Sequence, residues 1–140
     1  MKINVCVADE SHAVYAQQIC DLVYVSAQER GTGIAKRTPE YIAQKMKVGK
    51  AVIALTEEGE LAGFAYVETW SHTLFVANSG LIVAHKFRKT GLAKRIKQEV
   101  FNLSRRKYPD AKIFSITTGA AVMKINSDMG FRPVPFSELT

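Results

Sequence analysis

Hydrophobic and polar positions change period several times along this chain, and each change marks an element. Val5 and Val7 alternate with Asn4 and Cys6, the period of a short half-buried strand. From Ser11 to about Arg30 the period lengthens, and Tyr15, Ile19, Leu22, Val23 and Ser26 fall on one helical face, with Asp9 or Ser11 as the cap. Gly31-Thr32-Gly33 breaks that helix. Thr38 and Pro39 then supply an N-cap and a first helical residue for a second one, which ends near Gly49. Three strand-like runs follow, 51–56, 61–70 and 74–84, separated by Glu57-Glu58-Gly59-Glu60 and Ser71-His72-Thr73. Turns that short make an antiparallel meander. Leu92, Ile96, Val100 and Leu103 mark an amphipathic helix that Pro109-Asp110 stops. Residues 111–117 read as a strand, 119–129 as a helix ending at Gly130, and 131–136 as a last strand. The expected order is β-α-α-β-β-β-α-β-α-β. This is an α/β fold with a mixed central sheet, an antiparallel meander plus a parallel crossover, flanked by helices and forming a single domain over 1–140.

Composition adds bounds to that picture. Within 140 residues, 47% are hydrophobic and 23% charged, the balance of one globular domain. The two cysteines, Cys6 and Cys20, lack metal-ligand spacing and are too few for a disulfide framework, so both are expected as reduced core residues. No signal peptide and no membrane-length apolar run is visible, so a cytoplasmic chain with no membrane partner is expected. The formal charge of +6 favours an anionic partner. Aromatic residues are not interleaved with the basic ones, which ranks nucleic acid low. Lys97, Arg105, Arg106 and Lys107 are expected as the wet face of their helix.

The segment richest in chemistry runs from Ser79 to Ile96. An apolar strand enters a short basic loop, a glycine and a helix start. The first N–H groups of a helix lack internal partners and lie at the positive end of its dipole. Such a loop therefore cradles an anion, and Arg88, Lys89 and Lys94 add charge around it. Arg88-x-x-Gly91-x-Ala93, preceded by Leu81-Ile82-Val83, resembles the Gln/Arg-x-x-Gly-x-Gly/Ala signature of the GNAT N-acyltransferases. The stretch from Ala121 to Gly130-Phe131 is similar to that family's helix ending in Gly-Phe, and with the element order the likeness covers nearly the whole chain.

The resemblance implies a GNAT-like fold and transfer of an acetyl or related acyl group from acetyl-CoA, or another acyl-CoA, to an amine. Transfer would occur by direct attack in a ternary complex, without a metal. It implies that the strand Leu81-Ile82-Val83 holds the pantetheine arm through the backbone of Leu81 and Val83. The loop Arg88, Lys89, Thr90, Gly91, Leu92, Ala93 and Lys94 would take the pyrophosphate. Two departures stand out. Where many members carry a tyrosine general acid this chain has Asn126, which can contact the thiol or pantetheine but cannot deliver a proton. Water or another side chain must then protonate the thiolate. The chain also has one closing strand where the family usually has two, so either the fold is minimal or a partner chain, as in a homodimer, completes the edge.

The general base is left open among Glu68, His85 and His72, with Glu68 first. Tyr66, Glu68 and Trp70 alternate onto one face of their strand, as core or as lining for the acceptor, and Ser79 could anchor the acceptor or a water. Arg30, Lys36 and Arg37 fall where the family places its acceptor loop, which suits an acceptor with carboxylates such as an amino acid; a solvated loop would contain the same residues. A small-molecule amine acceptor is therefore expected. The alternatives are a protein or peptide N-acetyltransferase and a non-catalytic acyl-CoA-binding relative.

Overall fold

A computed structural model describes residues 2–30, 38–70, 74–115 and 129–130. Along these run β1 (Ile3–Val7), a 3-10 turn (Glu10–Tyr15), α1 (Ala16–Arg30), α2 (Pro39–Lys47), β2 (Ala51–Thr56), β3 (Leu61–Trp70) and β4 (Phe75–Val83). A second 3-10 turn (His85–Phe87), α3 (Leu92–Lys107) and β5 (Lys112–Ser115) follow. The expected order holds through β5. The predicted helix at 119–129, except for Met129, and the strand at 131–136 lie outside the described residues.

The five strands form one sheet in the order β1-β2-β3-β4-β5. The first three pairings are antiparallel and β4–β5 is parallel, from Phe75↔Lys112 to Asn78↔Ser115. A parallel neighbour demands a crossover, and α3 supplies it. The sheet is thus mixed as the pattern predicted.

Helices cover both faces. Ile19 and Val23 of α1 and Ile42 and Met46 of α2 pack with Ile53, Phe64 and Ile82 on one side. Leu92, Ile96, Val100 and Leu103 of α3 pack with Val52, Val67, Val76 and Val83 on the other. On α1 and α3 these are the residues that the helical period put on inward faces. Capping follows the sequence too: the Asp9 side chain accepts from the Ser11 N–H, and Thr38 Oγ1 accepts from the Tyr41 N–H at 3.1 Å. The segment after Asp9 winds first as a 3-10 turn, with α1 proper starting at Ala16.

The cysteine expectation needs correction for Cys6, which is exposed, while Cys20 is half-buried. On β1, Ile3, Val5 and Val7 turn towards α3, so alternation sends Asn4 and Cys6 outward. Partial desolvation of the thiol, with Asp9 and Glu99 nearby, raises the Cys6 pKa, which favours the protonated form. Among the described residues no helix is long and apolar enough to cross a membrane.

α3 comes close to the sheet at Gly63. A Cβ there would collide with Ile96 Cδ1 and lie 2.9 Å from the Ile82 carbonyl oxygen. Gly63→Ala should therefore cost about 1–3 kcal/mol, the usual range for overpacking a core. Urea unfolding would read this as a lower midpoint at an unchanged slope, and an unmoved midpoint would mean that Ile96 gives way freely.

Candidate active site

The site is built around the far half of β4. Up to Asn78 the strand lies between β3 and β5. Immediately afterwards its register on β3 shifts: Tyr66 faces Ser79, but Phe64 faces Ile82, so Gly80 and Leu81 together oppose Ala65. Such a bulge bends its strand. Gly80 makes it possible, with φ of 65° and no room for a Cβ, because the Tyr66 ring lies against it. The bend starts two residues beyond the last described β4–β5 pair. Ser79, Gly80 and Leu81 are half-buried there, while Ile82 and Val83 anchor the strand in the two cores.

Beyond Val83 the chain makes the basic loop. Phe87 is buried and pins it, and Thr90 Oγ1 donates to the Phe87 carbonyl at 2.6 Å. Lys89 (φ 65°) and Gly91 (φ 82°) are both left-handed. For lysine that conformation is unfavourable, and a turn with left-handed residues at alternate positions gathers N–H groups into a concave anion site. Gly91 is the N-cap of α3, with no side-chain cap bond, and among the described residues beyond its own chain neighbours no atom lies within 4 Å of where its Cβ would stand. The helix start is therefore open to a ligand. Ala93 is half-buried, while Lys89, Thr90 and Lys94 are exposed. Arg88 folds back instead, its Nε donating to the Val83 carbonyl at 3.3 Å and its Nη1 lying 3.5 Å from His85 Nδ1. An open groove of about 430 Å³, lined by Val5, Gly91, Lys94, Arg95, Gln98 and Glu99, continues from this loop towards β1.

A second group of polar and aromatic side chains sits on the α2 face of the sheet. Tyr66 is buried, with the Tyr41 ring edge-on at 5.9 Å. Lys45 Nζ lies 5.5 Å from the Tyr41 centroid and 5.8 Å from that of Tyr66. It donates to the Val67 carbonyl at 2.9 Å and pairs with Glu68 Oε1 at 2.9 Å. Burial lowers the Lys45 pKa, with Lys50 as a second cause. The sequence reading placed Glu68 and Tyr66 on one face but missed Tyr41 and Lys45. Their spacing of four on α2, beside the buried Ile42 and Met46, was the available signal.

His85 stands apart from Glu68. The partner of Glu68 on β4 is Ala77, and His85 lies two residues past the other end of that strand, exposed in the 3-10 turn. Arg30 and Trp70 close α1 and β3. Lys36, Arg37, His72 and Asn126 lie outside the described residues.

On the α3 face, the expectation for Lys97 fails. Arg105, Arg106 and Lys107 are exposed as predicted, but Lys97 is 2% exposed and its Nζ donates to Ser115 Oγ at 2.6 Å. Desolvation lowers its pKa to about 8. The reason is geometric: Lys97 lies one residue from Ile96 and three from Val100, at the margin of the apolar stripe, and that margin faces Ser115 of β5. One turn on from Val100, the buried Ser104 donates to Asn78 Oδ1 at 2.7 Å, whereas Asn78 Nδ2 meets no acceptor among the described residues.

No model of a known protein family and no curated protein sequence matches the chain. Solved structures do. An acetyltransferase of the GNAT family from Staphylococcus aureus superposes with a TM-score of 0.78 at 15% identity, over 99% of this chain and 90% of that one. N-acetylglutamate synthase from Neisseria gonorrhoeae, complexed with coenzyme A and N-acetyl-glutamate, gives 0.76 at 18% identity over 99% of this chain, which spans only 30% of the synthase. Diaminobutyrate acetyltransferase from Paenibacillus lautus, in complex with L-2,4-diaminobutyric acid and coenzyme A, gives 0.68 at 14% identity, over 92% of this chain and 74% of that one. With its mixed sheet, bulged β4 and open loop at the start of α3, the chain has the fold of the GNAT-family acetyltransferases.

Proposed function

We propose that this chain is an acyl-CoA-dependent N-acyltransferase whose acceptor is the amine of a small acidic metabolite such as an amino acid. The observation that carries the reading is the loop opening α3. Two left-handed residues and an uncapped, unobstructed helix start lie one short turn beyond the bulged end of β4. A pyrophosphate fits the loop, and the bent strand offers backbone for an extended arm. Similarity to structures holding coenzyme A supports the same reading. Bound there, acyl-CoA supplies a thioester whose acyl carbon an amine can attack.

The chain's own residues divide the remaining tasks. Lys89, Lys94 and the N–H groups from Lys89 to Ala93 neutralise the phosphates, while Leu81 and Val83 align the pantetheine, with Arg88 tying the loop to Val83. Across the sheet, Glu68 takes the proton lost by the attacking amine, with Lys45 orienting its carboxylate. Tyr41 and Tyr66 wall that side, and Arg30, Lys36 and Arg37 pair with carboxylates of the acceptor.

Calorimetry should show acetyl-CoA binding that weakens as salt rises. Gly91→Asp should abolish it by placing a carboxylate in the cradle; wild-type affinity in that variant would remove the loop from the site. Glu68→Gln should lower kcat by about 10²-fold or more while leaving the acyl-CoA KM unchanged, as thiol release against a panel of acceptors would read. Acidic amino acids should outperform polyamines in that panel, and Arg37→Ala should raise the acceptor KM alone. Spermidine or a lysine-rich peptide emerging as the best acceptor would overturn the acceptor assignment and leave the donor assignment standing.

A further inference from the structure

Resting on the acyl-CoA reading, we infer that Lys97 and Ser115 form the proton-delivery pair of the site, protonating the sulfur that leaves when the acyl group is transferred. Three observations converge on this pair. The Lys97 side chain is buried under the sheet, and its Nζ donates to Ser115 Oγ at 2.6 Å. Ser115 is the last described residue of β5, paired with Asn78, and the bulge that bends β4 follows directly. The lysine therefore reaches the last described pair of the two parallel strands, next to the bulge at which β4 bends. Ser115 is itself only half-buried, so its hydroxyl borders both the buried ammonium and the end of the strand.

A hydroxyl both accepts and donates, so Ser115 can take a proton from Lys97 while passing its own to the sulfur. The balance closes. A carbon–nitrogen bond forms as the carbon–sulfur bond breaks, and the electron pair leaves on sulfur. The Lys97 ammonium gives up one proton through Ser115, and the proton shed by the amine passes to Glu68 and solvent, from which Lys97 is recharged. The supply is suited to neutral pH: burial lowers the Lys97 pKa to about 8, so the group is mostly charged at pH 7 yet releases its proton readily.

Among the described residues, few ionisable groups lie on the face of the sheet that Lys97 meets. Phe75–Val83 of β4 contains no ionisable residue, and neither do β1, apart from Cys6, and β2. On β3 the Glu68 carboxylate is held by Lys45 on the opposite face, and on β5 Lys112 is exposed. On α3 itself Lys94, Arg95, Arg105, Arg106 and Lys107 are exposed, and Glu99 is half-buried beside the groove that runs towards β1. Desolvation is the cause of the Lys97 shift. Asn78, buried in the same layer with its Nδ2 lacking an acceptor among the described residues, and Ser104, which donates to its Oδ1, add two more polar side chains to this interface.

The test compares the wild-type chain with Lys97→Met, Lys97→Arg and Ser115→Ala, each first shown to be folded by its thermal unfolding and to bind coenzyme A by calorimetry. In the wild type, kcat should fall as pH rises through about 8, because the acid form is lost. Lys97→Met should lower kcat by about 10²–10⁴-fold with little change in acyl-CoA KM, and should abolish that limb. Lys97→Arg keeps the charge but cannot release a proton, so it should be equally impaired; recovery of activity by arginine would assign the lysine a purely electrostatic or packing role and overturn the proposal. Ser115→Ala should lower kcat less, since a water can bridge. Coenzyme A alone provides a readout without turnover: its thiolate absorbance should develop at lower pH when bound to the wild type than when bound to Lys97→Met. A folded Lys97→Met chain that binds coenzyme A and keeps the wild-type rate and pH profile overturns the proton assignment only. A wild-type chain that leaves coenzyme A unbound overturns the acyl-CoA reading itself.

Discussion

Everything in this molecule depends on how closely α3 lies across the sheet. The helix packs on all five strands, and it can do so because Gly63 presents no side chain where Ile96 descends. That contact sets the height and direction of the whole crossover. The start of α3 is thereby held just past the end of β4, and its Lys97 and Ser104 margin is pressed beneath β4 and β5. Apolar burial supplies the drive, roughly 25 cal/mol per Å² of surface removed from water. The polar side chains carried inward with it, Lys97, Ser104 and Asn78, are held by hydrogen bonds with Ser115 and with one another.

The β4 bulge couples that layer to the opposite one. Gly80 yields its side-chain space to the Tyr66 ring, which meets Tyr41 and Lys45 of α2. The same irregularity that turns β4 away therefore also shapes the polar aromatic group around Glu68. Tyr41 and Lys45 of α2 thus lie against the same ring that packs on the bulged strand. In the proposed reaction the two faces have opposite duties: one side takes a proton from the amine and the other returns one to sulfur.

Sequence pattern alone determined the strand and helix order through β5, the antiparallel meander, the parallel crossover and the anion-binding character of the loop at Gly91. These depend on local periodicity, on turn length, and on a glycine at a helix start, all of which are written in neighbouring residues. The tertiary structure decided what the neighbours could not. Lys97 reads as a solvated residue because lysines spaced along a helix are usually solvated; only the position of β5 over α3 buries it. Cys6 differs: its alternation with Val5 and Val7 already set it on the outward face, and the core expectation followed residue type instead. Lys45 and Tyr41 gain their place only through Tyr66 and Glu68, more than twenty residues away in the chain. Burial and long-range pairing are properties of how elements stack, and no local pattern in the chain encodes them.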